Sequence, residues 1–355
     1  MDADLMEKRL PWFEMTSDQR RIYINSDQLY RVYLDASNKN RSYRGGMHWK
    51  KIKDRQYLFR STDRRGYGKS LGLRSPETEA IFRDFHENKK RLKESIHELQ
   101  NHLRDQARFC KAARIARVPR VVGSILRLLE AKKLLVSNVQ VIGTNALYAY
   151  EASAGIFFES GLMATQDVDI LWDVRSGLQL HAGGNDEPGG LLAILQQADR
   201  TFELVRKRSF RAVNRKGYMV DLLKPEPRPA HSLEKRQMGA RGDLVAAEIR
   251  NLQWLIASPK LTQCVIGDDG YPAVMVVPDP RAFALHKLWL SRQTDREPIK
   301  RRRDKEQALA VCMLVLHYLP HLQFAPDELR MFPKSVVTAA AEAIKASELP
   351  PGYGF

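Results

Sequence analysis

The chain has 355 residues, of which 43% are hydrophobic and 28% charged, a composition typical of an ordinary soluble globular protein. No segment approaches the roughly 18 consecutive apolar residues of a membrane span. The mixed, acidic start MDADLMEKRLPWFEM lacks the apolar core of a secretory signal. The three cysteines lie far apart, which argues against a zinc site or a disulfide framework, so we expect free buried thiols and a cytoplasmic location.

The net charge of +16 is concentrated in the first third of the chain. Residues 1–134 contain 31 Lys and Arg against 17 Asp and Glu, whereas the other 221 residues contain 27 against 25. The densest part is 41–70, with ten basic and two acidic residues and interleaved aromatics. This mixture suits phosphate pairing and base stacking, so it predicts nucleic-acid contact. A solvated, charged face is the alternative.

The N-terminal third begins with a short helical pattern at 17–34 and a predicted β-hairpin at 47–60. The Gly-rich segment 64–79 predicts a loop. It is not a P-loop, because Asp63 stands where the first glycine of GxxxxGK[ST] is required and no apolar strand precedes it.

A long helix is predicted to begin at Ser75-Pro76-Glu77, which supply an N-cap, a proline in the first turn and an acid. It is expected to run to about residue 114, followed by an amphipathic helix at 118–135. A heptad seam in the long helix predicts packing on another helix of the chain or on a second subunit, and so permits a homodimer. The seam consists of Phe85, Leu92 and Leu99 with Ile96 and Leu103.

The rest of the chain alternates between strand and helix patterns. The predicted elements are strands 138–142 and 168–172, helices 146–154 and 191–202, a loop at 183–190, hairpins 203–214/218–223 and 263–266/273–277, and helices at about 280–293, 301–319, 325–332 and 334–346. We therefore expect an α+β fold with a small mixed sheet, flanking helices and a helical C-terminal region. The expected domains are 1–74, 75–136, 137–230 and 231–355.

Three segments of the third region carry the pattern of a phosphate-handling site. In VQVIGTNA a strand ends in Gly143 and Thr144, which would bring backbone N–H groups close to a phosphate. In TQDVDILW the alternation of a strand points Asp167 and Asp169 to one side, where a divalent cation would relieve their repulsion. In GYMVDLL another apolar strand carries Asp221.

This order resembles the DNA polymerase β-like nucleotidyltransferase superfamily, whose pattern is hG[GS], then Dh[DE]h, then a third acid on a later strand. Among its branches the chain looks most like the bacterial minimal nucleotidyltransferases, including the abortive-infection and toxin-like group. Those relatives have a helical Lys near the triphosphate and then a Lys-Asp pair, which correspond here to Lys287 and Arg303-Asp304. The resemblance covers about residues 138–315 and departs at Thr144, at Arg303 and in a longer segment around 156–164, which we expect to be an inserted loop.

The resemblance implies transfer of an NMP from an NTP, ATP among them, to an acceptor hydroxyl. Asp167, Asp169 and Asp221 would be the catalytic carboxylates and would hold Mg2+ or Mn2+. The nucleotide phosphates would lie against Gly143, Thr144, Lys287 and Arg303.

The acceptor is left open by the sequence, although the basic first third favours RNA and tRNA in particular. A toxin-like role is one use of such chemistry. The alternative is a catalytically degenerate, nucleic-acid-binding protein of the same fold. Arg206, Lys207 and Arg208 are interpreted as surface residues, with an acceptor-binding role as the second interpretation.

Overall fold

A computed structural model describes residues 10–61, 68–135, 138–176, 190–227 and 242–346. Two compact units emerge from the contacts within the chain. The larger unit comprises Met1–Arg20, Arg117–Asp268 and Ala273–Phe355, and the smaller unit comprises Arg21–Ala116 and Asp269–Pro272. The predicted α+β class is confirmed, whereas the four predicted domain boundaries stay a prediction.

The larger unit is built on a six-stranded mixed sheet. Its strands are β5 (Val139–Ile142), β7 (Asp167–Trp172), β8 (Glu203–Leu204), β9 (Arg211–Val213), β10 (Met219–Pro225) and β11 (Ala247–Ile249). The order is β5-β7-β10-β9-β8, with β11 also pairing β10. Strands β7 and β10 run parallel at the centre, while β5 and β9 are antiparallel to their neighbours. Most apolar side chains of β7 and β10 are buried, as expected for central strands of a covered sheet: Val168, Ile170, Leu171, Trp172, Val220 and Leu222.

Helices and two small strand pairs surround this sheet. The helices are α3 (Arg120–Ala131), α4 (Leu147–Ala154), α5 (Ser160–Met163), α6 (Leu191–Ala198), α7 (Leu252–Ala257), α8 (Pro280–Ser291), α9 (Pro298–Tyr318) and α10 (Lys334–Ala346). The strand pairs are β1 (Trp12–Glu14) with β6 (Ile156–Phe158), and β12 (Lys260–Ile266) with β13 (Pro272–Pro278). The predicted 263–266/273–277 hairpin is thereby confirmed.

The N-terminal strand is joined to a helix near the other end of the chain. Trp12 is buried, its indole Nε1–H donates to the hydroxyl of Tyr318 at 3.3 Å, and its ring meets Phe158 edge to face. Strand β1 is therefore held both by its backbone pairing with β6 and by the end of α9.

The smaller unit combines two long helices with a three-stranded antiparallel sheet. Its elements are α1 (Ser17–Arg41, of which the first four residues belong to the larger unit), β2 (Gly46–Ile52), β3 (Arg55–Ser61), β4 (Gly68–Leu73) and α2 (Pro76–Ala112). The predicted hairpin and the Ser75 cap are confirmed, since Ser75 and Thr78 form a reciprocal capping box.

Helix α2 packs on α1 toward its C-terminal end. The side-chain amide of Gln106 donates to the carbonyl of Ile22 at 3.1 Å, and Ser26 lies 3.0 Å from the thiol of Cys110. These contacts involve residues beyond the predicted seam, so packing of the seam itself on another helix stays a prediction. The homodimer that the seam permits also stays a prediction.

Several local expectations were wrong. Residues 325–332 form turns rather than a helix, because Leu329 and Phe332 turn inward to be buried and Pro333 disfavours a helical conformation at the residue before it. Part of the expected loop at 64–79 is strand β4, and the expected inserted loop at 156–164 holds β6 and α5. The loop predicted at 183–190 lies outside the described residues except for its last residue.

The three cysteines are free and buried, as predicted. Within the described ranges, none of the helices combines the length and the apolar character needed to cross a lipid bilayer.

Candidate functional site

The three predicted carboxylates lie side by side on the central strands of the larger unit. In the parallel pairing of β7 with β10, Asp221 is opposite Asp169 and Met219 is opposite Asp167. Neighbouring strands lie about 4.8 Å apart, and alternate residues of a strand share a face. Asp167, Asp169 and Asp221 therefore project from the same face of the sheet.

A glycine turn packs directly against one of these carboxylates. Gly143 follows β5 with a φ of +68°, in the left-handed region that favours glycine. A Cβ atom at this position would lie 2.1 Å from Oδ2 of Asp169. The glycine is thus required by the closeness of the Asp169 side chain, while its predicted phosphate contact stays a prediction.

The ionisation of Asp169 is unfavourable in this setting. Burial and the neighbouring charges of Asp167 and Asp221 raise its pKa to about 7, although Lys287 and Arg211 act in the opposite direction. A carboxylate in this position gains from additional positive charge on the same face. This is the electrostatic condition that a bound cation would relieve.

Asp221 is held by an arginine on the adjacent strand. Arg211 of β9 is its antiparallel partner, and the guanidinium donates from Nε to Oδ1 and from Nη2 to Oδ2, both at 2.6 Å. The carboxylate is buried, so this bidentate pair neutralises a charge that would otherwise be costly. Arg211 was not among the residues singled out in the sequence, and the signal that would have found it is the hairpin register.

Asp167 is positioned by neighbouring polar groups. The hydroxyl of Thr165 donates to its carboxylate, and the side-chain amide of Asn145 donates to its backbone carbonyl at 2.6 Å. Asn145 lies in the short 3-10 turn that follows Gly143, so the same turn borders Asp169 and anchors the start of β7.

Thr144 lies beneath this turn rather than on its surface. It is buried, and its hydroxyl accepts from the side-chain amide of Gln307 on α9 at 3.2 Å. Gln307 also donates to the carbonyl of Leu162 at 2.7 Å. The hydroxyl of Thr144 therefore helps to join the turn to α9, and its predicted role toward the nucleotide is untested.

A buried ion-pair network lies behind the carboxylates. Lys287 of α8 donates to Oδ1 of Asp304 at 2.7 Å, and Arg296 donates to the other oxygen of the same carboxylate. Burial by itself would raise the pKa of Asp304, but Lys287 and Arg296 together hold that pKa below its usual range. Lys287 also favours the ionised form of Asp169, so its charge acts on the carboxylate cluster.

Arg303, the remaining predicted phosphate ligand, lies at the edge of the same region. Its guanidinium donates to the carbonyl of Ala164 at 3.2 Å, three residues before Asp167. The structure thus brings together the three acids, Gly143 and the charge of Lys287, with Arg303 beside the segment that leads into β7.

The donor set suits a hard divalent cation, since carboxylate oxygens are the ligands that Mg2+ prefers. Among the described residues, however, no three acidic, histidine or cysteine side chains are arranged as a finished metal site. Both oxygens of Asp221 accept hydrogen bonds from Arg211. Added positive charge would favour the ionised form of Asp169, whose pKa is raised. The residues therefore fit a metal in their chemistry, although Arg211 would compete with the metal for Asp221.

Comparison with known protein families identifies the class. A family model described as "Nucleotidyltransferase" matches residues 120–331, more than half of the chain and a range that contains every predicted site residue. The chain belongs to this nucleotidyltransferase family. Neither the curated proteins nor the solved structures contain a match.

Proposed function

We propose that the protein is a metal-dependent enzyme that transfers an NMP from an NTP, ATP among them, to an acceptor hydroxyl and releases pyrophosphate. We further propose that it belongs to the minimal, abortive-infection and toxin-like branch of the DNA polymerase β-like superfamily. The observation that carries the proposal is the placement of Asp167, Asp169 and Asp221 on one face of two parallel strands.

The predicted site residues would have three roles in the reaction: metal binding, acceptance of a proton and binding of the phosphates. Asp167 and Asp169 would hold Mg2+ or Mn2+, and Asp221 would complete the ligand set and accept the proton of the attacking hydroxyl. The metal, when bound, would neutralise phosphate charge and orient the α-phosphate for in-line attack. Gly143, Thr144, Lys287 and Arg303 would lie against the triphosphate and steady the pyrophosphate as it leaves.

Arg211 sets a condition on this chemistry. Its guanidinium donates to both oxygens of Asp221, so it competes with a metal ion or a proton for that carboxylate while the pair is intact. Binding of NTP with its metal would replace one positive partner of Asp221 by another, and would free Arg211 for the phosphates or the acceptor.

The acceptor is proposed to be RNA, with tRNA as the first candidate, because the positive charge of the chain is concentrated in residues 1–134. The reaction would take place in the cytoplasm, and growth arrest would be its consequence if the toxin-like role holds. Arrest on expression that disappears with Asp169→Ala tests that role.

The transfer itself is tested with labelled NTPs, Mg2+ and total RNA or cell lysate. We expect wild type to label an acceptor and Asp169→Ala to lose at least about 10³-fold in rate, since it removes a group used in the transition state. Asp295→Ala, at an exposed position of the same unit, is the matched control and should retain full activity. Equal labelling by wild type and Asp169→Ala would refute the proposal.

A second candidate is a catalytically degenerate nucleic-acid-binding protein of the same fold. The Arg211–Asp221 pair favours it, because a permanent pair would weaken metal binding by the third carboxylate. The two candidates differ in thermal unfolding with NTP and Mg2+: the enzyme is stabilised and Asp167→Ala is not. A protein that binds RNA without any such stabilisation or label transfer would be the degenerate form.

A further inference from the structure

The two faces of the sheet in the smaller unit differ in their surroundings. Met47 and Leu58 are buried against Phe85 of α2, so one face is covered by that helix. Strand alternation places His48 and Phe59 on the opposite face, where they are cross-strand partners. On that open face the apolar side chains at the sheet edges, Ile52 and Leu73, are each 43% exposed.

The open face combines aromatic rings with cations. The ring of Phe59 stacks on that of His48 at a centroid distance of 6.4 Å and an angle of 21°. The ammonium group of Lys50 lies 5.4 Å from the centroid of the same ring, and Tyr57 is the cross-strand partner of Lys50. His48 is exposed, whereas Tyr57 and Phe59 are half-buried. Partly accessible rings of this kind can stack on nucleobases, whatever the base, because every base has a π face.

Two cations of this face are available to a ligand. The three strands and the turn between the first two, residues 46–61 and 68–73, contain six Lys and Arg against one acidic residue, and Lys50 and Arg55 are the two that share the face of Phe59. Lys50 and Arg55 are exposed, and neither forms an ion pair with a carboxylate in the described part of the chain. Arg60, on the helix side, differs because its guanidinium donates to the carbonyls of Arg44 at 2.6 Å and Ser42 at 2.9 Å.

We propose that this open face, formed by His48, Lys50, Arg55, Tyr57 and Phe59, binds single-stranded RNA by stacking unpaired bases on the rings and pairing phosphates with the cations. A sheet face with protruding rings favours unstacked bases over a duplex, whose bases are already stacked on each other. The proposal deepens the proposed function, on which it rests for the choice of RNA as ligand, by locating the surface that would hold the acceptor.

The test measures binding by the full-length protein, by fluorescence anisotropy, to a labelled single-stranded oligouridine and to an RNA duplex of equal length. We expect Tyr57→Leu with Phe59→Leu, which keeps apolar bulk but removes the rings, to weaken single-strand binding by about five- to 150-fold for each stacked base lost. Lys50→Ala should lower the slope of log affinity against log salt by about 0.7.

The matched control is Phe109→Ala, which removes a 58% exposed aromatic ring from α2 in the same unit and should bind RNA as wild type does. Circular dichroism and thermal unfolding establish that each variant is folded. Unchanged binding by the double leucine variant, or duplex binding as tight as single-strand binding, would overturn the proposal. Loss of binding by Phe109→Ala to the same extent would also overturn it.

The result of the RNA-binding test can be distinguished from the result of the nucleotidyl-transfer test. Asp169→Asn should bind the oligonucleotide as wild type does, because the substitution lies outside the sheet of the smaller unit. A wild-type protein that binds RNA but transfers no nucleotide would refute only the proposed function. A protein that labels another acceptor but binds no single strand would refute only the RNA-binding face.

Discussion

Two lysines, one in each unit, occupy opposite environments. In the larger unit Lys287 is buried and donates to Asp304 at 2.7 Å. In the smaller unit Lys50 is exposed on the sheet and lies over the ring of Phe59. Two arginines differ in the same way, since Arg211 is paired with Asp221 whereas Arg55 is exposed.

The difference separates two uses of positive charge. Inside the larger unit a cation fixes the position and ionisation of a carboxylate, at a desolvation cost that is repaid only while both partners are present. On the sheet of the smaller unit a cation stays hydrated and contributes little to folding, so it can exchange water and counterions for a ligand's phosphates.

The largest loss of stability is expected when the shared carboxylate of the buried network is removed. Asp304→Ala would leave Lys287 buried without its partner, and we expect a loss of about 3–5 kcal/mol in the free energy of unfolding, measured by urea denaturation. Combining Lys287→Met with Asp304→Leu should recover much of that loss, because no unpaired lysine then remains buried. A double variant as unstable as Asp304→Ala would contradict this account of the pair.

The ionisation of Asp169 makes the stability of the larger unit depend on pH. Its pKa is raised to about 7 in the folded chain, whereas an unfolded Asp has a pKa of about 4. The folded state therefore holds this proton more tightly, and the residue reduces stability progressively as pH rises from about 4 to about 7.

Asp169→Asn cannot ionise, so without divalent metal it should be more stable than wild type at pH 8, by at most about 4 kcal/mol, and equally stable at pH 4. Thermal unfolding in EDTA at both pH values measures this, with Asp295→Asn as an exposed control. An equal gain at pH 4 and pH 8 would show that charge is not the cause.

The smallest effect is expected on the sheet. Lys50→Ala should change the free energy of unfolding by less than about 0.5 kcal/mol, because the side chain is exposed and forms no ion pair within the described residues. Urea denaturation at low and at high salt is the measurement. A salt-dependent loss above 1 kcal/mol would mean that Lys50 has a folding role like that of Lys287.

Local patterns explain which parts of the fold and the candidate site could be predicted. The alternation of Asp167 and Asp169 on an apolar strand can be predicted from the six residues of that strand. The cap at Ser75 can likewise be predicted from a few neighbouring residues. Strand β4 was missed because GKSLGL contains two glycines and no alternation of apolar residues. Its first glycine is required by the fold, since a Cβ on Gly68 would lie 2.4 Å from the carbonyl oxygen of Arg60.

Contacts that depend on the register of paired strands could not be predicted from local sequence patterns. The sequence draws attention to Arg206, Lys207 and Arg208 as basic residues of the hairpin that carries Asp221. The side chain that donates to the Asp221 carboxylate is instead that of Arg211. Which of these arginines reaches the carboxylate depends on where the β9–β10 turn falls, and a shift of one residue would move Arg211 to the other face. The link between Thr144 and Gln307 spans 163 residues, so no local pattern could indicate it.

The pairing of Trp12 with Tyr318 has a consequence for synthesis on the ribosome. The two residues are 306 positions apart, and translation at about 5–20 residues per second would separate their emergence by roughly 15–60 s. During that interval strand β1 has no α9 against which to pack. The helices and the sheet of the smaller unit, within Arg21–Ala116, are made early in the interval, whereas its segment Asp269–Pro272 is made late. Neither unit therefore has all its residues until more than two thirds of the chain has been made, and the larger unit is completed only when its earliest strand meets its late helix.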